Sequence, residues 1–254
     1  MGTTPKSHVW GFAGCMLLAL LLMSFSPAYG ETISETFTNN KYDTNLWYLD
    51  MGQGTMATIA NNELEVTVGG PGYGNFSGNF TLTGDFTMTV DFTLINWPPN
   101  NGTQLGIGTY SGSSSPFQVV RCNTGPQYGG VEKYFTLILG QYTGTNGITG
   151  PTDSGKLRMV RTGNTMVGSY YDDSNWITIG SDTNPGLGGA VSVWLGIGPY
   201  ANNYSGIQAK AAFDNIQIQC QQWTNPVPVP GALLLFGTGL LGLGAHGLRR
   251  RPRS

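Results

Sequence analysis

The stretch "GDFTMTVDFTLINW", residues 84–97, places Phe86, Met88, Val90, Phe92 and Leu94 at every second position, with Thr87, Thr89, Asp91 and Thr93 between them. In an extended chain successive side chains point to opposite sides, so this spacing gathers five apolar groups on one face and four polar groups on the other. On a helix the same residues would scatter around the circumference. The stretch therefore predicts a strand with one buried and one wetted face.

Outward from this strand, the chain repeats the pattern in short runs: "GTMATIA", "ELEVTV", "QLGIGTY", "PFQVV", "YFTLIL", "VSVWLGIG" and "AAFDNIQIQ". Clusters rich in Gly, Pro, Asn, Asp and Ser separate them, among them "GGPGYG", "PPNNG" and "YTGTNGITGPTDSG". "GKLRMVRTGNTMVGSYYDDSNWITIG" reads as a three-stranded meander, with one turn around Gly163 and another from Asp172 to Asn175. No convincing helical pattern lies between residues 31 and 224. Strands at this spacing predict an all-β fold, a sandwich of two antiparallel sheets with Phe213, Ile216 and Ile218 among its packing residues. Trp47, Trp176 and Trp194 fall inside strand patterns and are expected in the core.

The two ends of the chain differ from its middle. Lys6 and His8 precede an apolar run from Val9 to Met23, and Ala28 and Gly30 stand at the −3 and −1 places of a cleavage site before Glu31. Residues 1–30 read as a secretory signal peptide. At the other end, "NPVPVPGALLLFGTGLLGLGAHGLRRRPRS" joins a proline spacer to an apolar stretch over residues 232–248 and then to Arg249, Arg250, Arg251 and Arg253. A helix of that length is about 26 Å long, just enough for a bilayer core, and the arginines are expected to stay on the cytoplasmic side. The expected organisation is therefore a signal peptide (1–30), one β-sandwich domain (31–224) and a C-terminal segment (225–254) containing a transmembrane helix.

Residues 31–224 carry all 14 acidic residues against seven basic ones, a formal net charge of −7, and contain no histidine. The charge argues against nucleic acid and against anionic membrane surfaces as partners. The missing imidazole removes Ser-His-Asp and Cys-His catalysis and every histidine-ligated metal site. Cys122 and Cys220 remain as an even pair in a chain bound for an oxidising compartment, so a disulfide between them is expected; two separate buried thiols are the alternative. As a disulfide, the pair would contribute up to about 4.7 kcal/mol by restricting the unfolded chain.

Two resemblances follow from these motifs. The Lys-Leu-Arg strand, "YYDDSNWITIG", "VWLGIG" and "AAFDNIQI" together resemble the C-terminal half of concanavalin A-like jelly rolls, and "ETFTNNKYDTNLWYL" resembles the start of such domains. That fold is shared by many lectin, laminin-G and glucanase domains, and implies an architecture rather than a chemistry. The tail "VPVPGALLLFGTGLLGL" with its arginines resembles the PEP-CTERM class of sorting signals of exopolysaccharide-producing Gram-negative bacteria. The acid usual between the prolines is replaced by Val229. The resemblance implies that an exosortase-type enzyme reads Val227, Pro228, Val229, Pro230, Arg249, Arg250 and Arg251, and that an inner-membrane-anchored precursor passes to the cell surface or the extracellular space.

The expected function is that of an exported, non-catalytic surface or matrix protein that binds carbohydrate, exopolysaccharide being one partner. A secreted glycoside hydrolase and a structural coat domain without a small ligand are the alternatives. Hydrolysis needs two carboxylates at a set separation, and the Glu-x-Asp-x-x-Glu motif of the glucanases is absent; Glu63 and Glu65 share a strand face, and Asp85 and Asp91 flank another strand. Loop aromatics suit sugar stacking, and Tyr73, Trp97, Tyr110, Tyr128, Tyr142, Tyr200 and Tyr204 are the candidates, with Trp97, Tyr128, Tyr142 and Tyr200 put forward as a binding set. No cofactor is expected, calcium being the one ion for which oxygen ligands are at hand: Asp172, Asp173 and Asn175 offer them, although the same residues make a hairpin turn by bonding their own backbone.

Overall fold

The computed structural model describes residues 30–112, 114–123, 132–147, 152–200 and 204–225. Residues 1–29 of the proposed signal peptide and 226–254 of the proposed sorting segment, with Val227 to Pro230 and Arg249 to Arg251, lie outside these residues, as does Tyr128.

Fifteen strands are present among the described residues: β1 (Glu31–Glu35), β2 (Trp47–Met51), β3 (Thr55–Ala60), β4 (Glu63–Val68), β5 (Gly74–Gly78), β6 (Thr81–Asn96), β7 (Thr103–Ser111), β8 (Ser114–Asn123), β9 (Glu132–Ile138), β10 (Gln141–Gly147), β11 (Ser154–Thr162), β12 (Thr165–Tyr171), β13 (Trp176–Thr183), β14 (Ser192–Pro199) and β15 (Ala209–Thr224). Two three-residue turns of 3₁₀ helix are the only helical pieces described. The strands form two antiparallel sheets. One runs β13-β12-β11-β6-β15-β4-β3, with β1 also paired to β15, and the other runs β10-β9-β8-β7-β14-β5-β2.

The opening strand behaves as its pattern requires. Phe86, Met88, Val90, Phe92 and Leu94 of β6 are all buried, and each such side chain contributes about 1.5–3 kcal/mol through burial. They face Leu105 and Ile107 of β7, Phe117 and Val119 of β8, and Val193, Leu195 and Ile197 of β14 across one continuous core. Trp47 lies at one end of that core, stacked on Phe76 at 4.8 Å and meeting Phe80 edge-on at 5.2 Å. The predicted meander is β11-β12-β13, and its first turn places Gly163 at φ 57°, where a glycine is at ease.

β15 keeps an apolar face inward from Ala209 to Cys220 because its phase is reset between Asp214 and Gln217, one of three irregularities in its pairing with β6. Ala209, Ala211 and Phe213 are buried at odd numbers, Ile216, Ile218 and Cys220 at even ones. The shift sits in a bulge: Asp214 pairs with Asp91, but the next pair on β6 joins Gln217 to Thr89. Asn215, the extra residue, adopts φ 50°. One residue added to one strand restores the alternation that a straight ladder would invert.

The expected disulfide is not formed: Cys122 and Cys220 are both free and buried. Cys220 faces the core from β15, whereas Cys122 lies in β8 of the opposite sheet and points outward, packed with Val120 and Phe135. Stacked sheets lie about 10 Å apart, and a disulfide requires Cα atoms within about 7 Å and converging Cβ vectors. Two of the three tryptophans expected in the core also lie elsewhere. Trp176 is half-buried on the outer face of its sheet beneath the Arg158 guanidinium, 4.3 Å from the ring centroid, and Trp194 points away from the core.

Candidate functional site

The outer face of the seven-stranded sheet carries the most organised group of exposed aromatic and amide side chains among the described residues. In β14, Val193, Leu195 and Ile197 point into the core, so Trp194, Gly196 and Gly198 point out. In β7, Leu105, Ile107 and Thr109 point in, so Gln104, Gly106, Gly108 and Tyr110 point out. Antiparallel pairing sets Gly196 against Gly106 and Trp194 against Gly108. The sequence "LGIG" occurs in both strands, and this register places four glycines on the same outer surface, with Gly196 opposite Gly106.

These glycines let rings lie down on the sheet. A Cβ on Gly108 would sit 2.6 Å from the Trp194 ring, and one on Gly198 would sit 2.1 Å from the Tyr73 ring. Trp194 is fixed further by its Nε1, which donates to Ser115 Oγ at 3.3 Å, while Ser115 donates to the Thr109 carbonyl at 2.8 Å. Tyr73 is placed by two glycine-rich loops that cross at van der Waals contact. Gly72 N donates to Gln53 O at 2.9 Å and Gly52 N to Tyr73 O at 2.8 Å, and a Cβ on Gly72 would come within 2.3 Å of Gln53 N.

A cleft of about 390 Å³ lies over this floor. Trp194 and Tyr110, with ring centroids 6.0 Å apart, form one side of it, and Tyr73, 43% exposed, forms another. Asn75 on β5 donates through Nδ2 to the Tyr110 hydroxyl at 3.2 Å, and Gln118 on β8 adds a further amide. The Gln104 amide bonds the Tyr73 phenol, while its Oε1 is buried without a hydrogen-bond partner. Asp50 of β2 is the one charged side chain among the described residues lining the cleft. Burial first, and then the charge of Asp50, raise the Tyr110 phenol above its ordinary range, so it keeps its proton. The cleft thus combines flat apolar faces with amides, hydroxyls and one carboxylate.

Of the aromatic residues predicted for a binding set, none lines this cleft among those whose side chains are described. Trp97 packs against the core and donates from Nε1 to Glu132 at 3.0 Å. Tyr200 leans over Phe135 at 5.5 Å, beside Val120 and Cys122. The Tyr142 side chain is outside what the structure describes. Tyr204 reaches the carbonyls of Val68 and Ile207 at 3.2 and 3.0 Å. Tyr73 and Tyr110, named more broadly as loop aromatics, do reach the cleft. Trp194, expected in the core, is its central ring.

Asp172, Asp173 and Asn175, offered as oxygen ligands for calcium, make the hairpin turn that the same sequence predicts. Asp172 Oδ1 accepts from the backbone N–H of Ser174 at 3.1 Å and of Asn175 at 2.7 Å, and Asp173 adopts φ 69°. Buried charges elsewhere hold the fold together. Glu35 accepts from the N–H groups of Thr36, Phe37 and Asp43; Arg121 pairs with Glu132 at 2.6 Å; Arg161 donates to the carbonyls of Gly84 and Gly189 at 2.7 and 2.6 Å.

A second depression, about 320 Å³, lies on the outer face of the other sheet. There Lys156 holds both oxygens of Asp91 at 2.8 Å, and Asn215 Nδ2 donates to Asp91 Oδ2 at 3.2 Å. Burial raises the neighbouring Asp214 carboxyl, the charges of Asp91 and Glu35 add to the rise, and a backbone hydrogen bond at Asn215 opposes it. Glu63, on the rim, is raised by burial and then by Asp214 and Glu65. Glu65, its partner on the predicted strand face, is paired with Lys210 at 2.6 Å.

No family model and no curated protein matches this chain. Solved structures do. The CBM2 module of the evolved Dit of Lactobacillus casei BL23 phage J-1 superposes with a TM-score of 0.56 at 8% identity, over 75% of this chain and 95% of its own. The Bacillus licheniformis β-glucanase gives 0.54 at 14% identity, over 75% and 98%. Lectin I-B4 from Griffonia simplicifolia gives 0.53 at 8% identity, over 76% and 99%. At these identities the likeness is one of fold, and the chain has the two-sheet antiparallel sandwich found in concanavalin A-like lectins and in glucanases.

Proposed function

We propose that the domain is a non-catalytic carbohydrate-binding module and that the cleft over β14 and β7 is its binding site. The observation that carries this reading is the pair of rings, Trp194 and Tyr73, seated over Gly108 and Gly198 where a Cβ would stand, with amides beside them. Pyranose rings stack their C–H faces on such surfaces, and amides and hydroxyls bond the sugar hydroxyls around the edge. Asp50 is the single carboxylate lining the cleft, whereas two-carboxylate hydrolysis needs a pair.

The sequence further supports export by the N-terminal segment, temporary anchoring by residues 232–248, and release by an exosortase-type enzyme at the proline motif, giving a surface or matrix protein.

The test is titration calorimetry of the purified full chain, in a detergent without a sugar headgroup, against neutral and anionic oligosaccharides, with reducing ends followed in parallel. Binding without new reducing ends, lost at least tenfold in Trp194→Ala, is the expected result, since one stacked ring is worth on the order of 1.4 kcal/mol. The hydrolase reading has one observation in its favour, the Asp91 and Asp214 carboxyls with opposed environments. Reducing-end release abolished by Asp214→Asn would establish that reading in place of this one.

A further inference from the structure

The cleft holds one charge, and that charge is negative. Asp50 takes part in no ion pair among the described residues, and no lysine or arginine lines the cleft. Trp194, Tyr73 and Tyr110 surround the same space with ring faces, which attract cations and repel anions. Tyr48, two residues before Asp50 on the same outward face of β2, is 47% exposed and lies near enough to Tyr110 to act on its phenol. The buried acceptor Gln104 Oε1 lacks a donor. Carboxylate and ring faces call for the same complement, a cation, while the orphan amide oxygen calls for an N–H or O–H donor of either kind.

Resting on the carbohydrate reading above, we propose that the ligand is a polymer of amino-bearing hexoses in their protonated form, in preference to neutral or N-acylated ones. The ammonium group sits against Asp50 and the ring faces, and the pyranose stacks on Trp194. A longer oligomer reaches the Tyr73 platform as well, because Gly198, beneath that ring, lies four residues along β14 from Trp194, roughly 13 Å at 3.3 Å per residue.

The experiment titrates the full chain, in a detergent without a sugar headgroup, with three β-1,4-linked hexasaccharides: of glucosamine, of N-acetylglucosamine and of glucose. With the amines charged, the glucosamine form binds roughly tenfold more tightly than the other two, as one ion pair and one cation–π contact together supply. That advantage shrinks as the pH rises through the amine titration, and Asp50→Asn lowers it roughly threefold by removing the ion pair. Equal or tighter binding of the glucose or N-acetyl form would overturn the proposal while leaving the carbohydrate site standing, and so would a preference undiminished in Asp50→Asn. Glucosamine binding retained in Trp194→Ala would trace the affinity to the domain's general acidity and also overturn it. Failure of all three sugars to bind would sink the carbohydrate reading itself.

Discussion

Cys122 is fully buried between sheet and overlying side chains, and burial pushes its thiol from an ordinary 9.0 up to about 12, with the Lys133 charge opposing the rise and Glu132 adding to it. Only a thiolate reacts quickly with disulfide or alkylating reagents. In the native protein, therefore, neither cysteine is titrated by a thiol reagent at mildly alkaline pH, and both appear on denaturation; a protein with no titratable thiol after unfolding would restore the disulfide. Because the folded value lies above the unfolded one, the buried thiol's contribution to stability is whole below about pH 9 and is lost as the pH rises towards 12. The sequence reading of this pair failed because an even count says nothing about which way two strands face. Trp194 is the opposite lesson. The alternation Val193, Leu195, Ile197 already puts the tryptophan between them on the other face, so its exposure was legible, and so was the repeated "LGIG"; hydrophobicity alone drew it into the core.

Along β15 the bulge at Asn215 carries more than local geometry. Its left-handed backbone suits Asn or Gly and penalises a β-branched residue by about 1–2 kcal/mol. Asn215→Val should lower the unfolding free energy by that amount in urea, with Asn215→Gly close to wild type; equal stability of the Val variant would show that the strand slips without cost. The strands themselves were readable from period-two runs bounded by turn residues, and β6 and the β11-β12-β13 meander were placed closely. Their partners were not. That β15 returns to pair along the whole of β6 depends on contacts 114 to 143 residues apart, which no local pattern encodes. Nor do Asn75, Gln104 and Gln118 announce themselves, since one amide in one strand acquires meaning only when register sets it beside Trp194.

At the scale of the whole chain, the sorting reading has its own test. Replacing Arg249, Arg250 and Arg251 with serine should impair membrane retention and tail processing while the far-ultraviolet circular dichroism of the folded domain stays unchanged. An intact tail on the protein released from wild-type cells, seen by mass spectrometry of the mature C terminus, would sink the processing idea. The fold adds a mechanical corollary. Glu31 pairs with Cys220, so the domain's first residues lie beside its last, and Thr224, at the end of β15, leads within two residues to the proline spacer. β15 is held on one edge by β6 along its length and on the other by β4 and then β1. A pull on the tail therefore acts along the strand axis and loads these ladders in shear, so that many hydrogen bonds must yield together rather than one after another. If the chain is anchored through the segment that follows β15, the sandwich would bear tension at that point, and cutting the tether would release it sooner than unravelling.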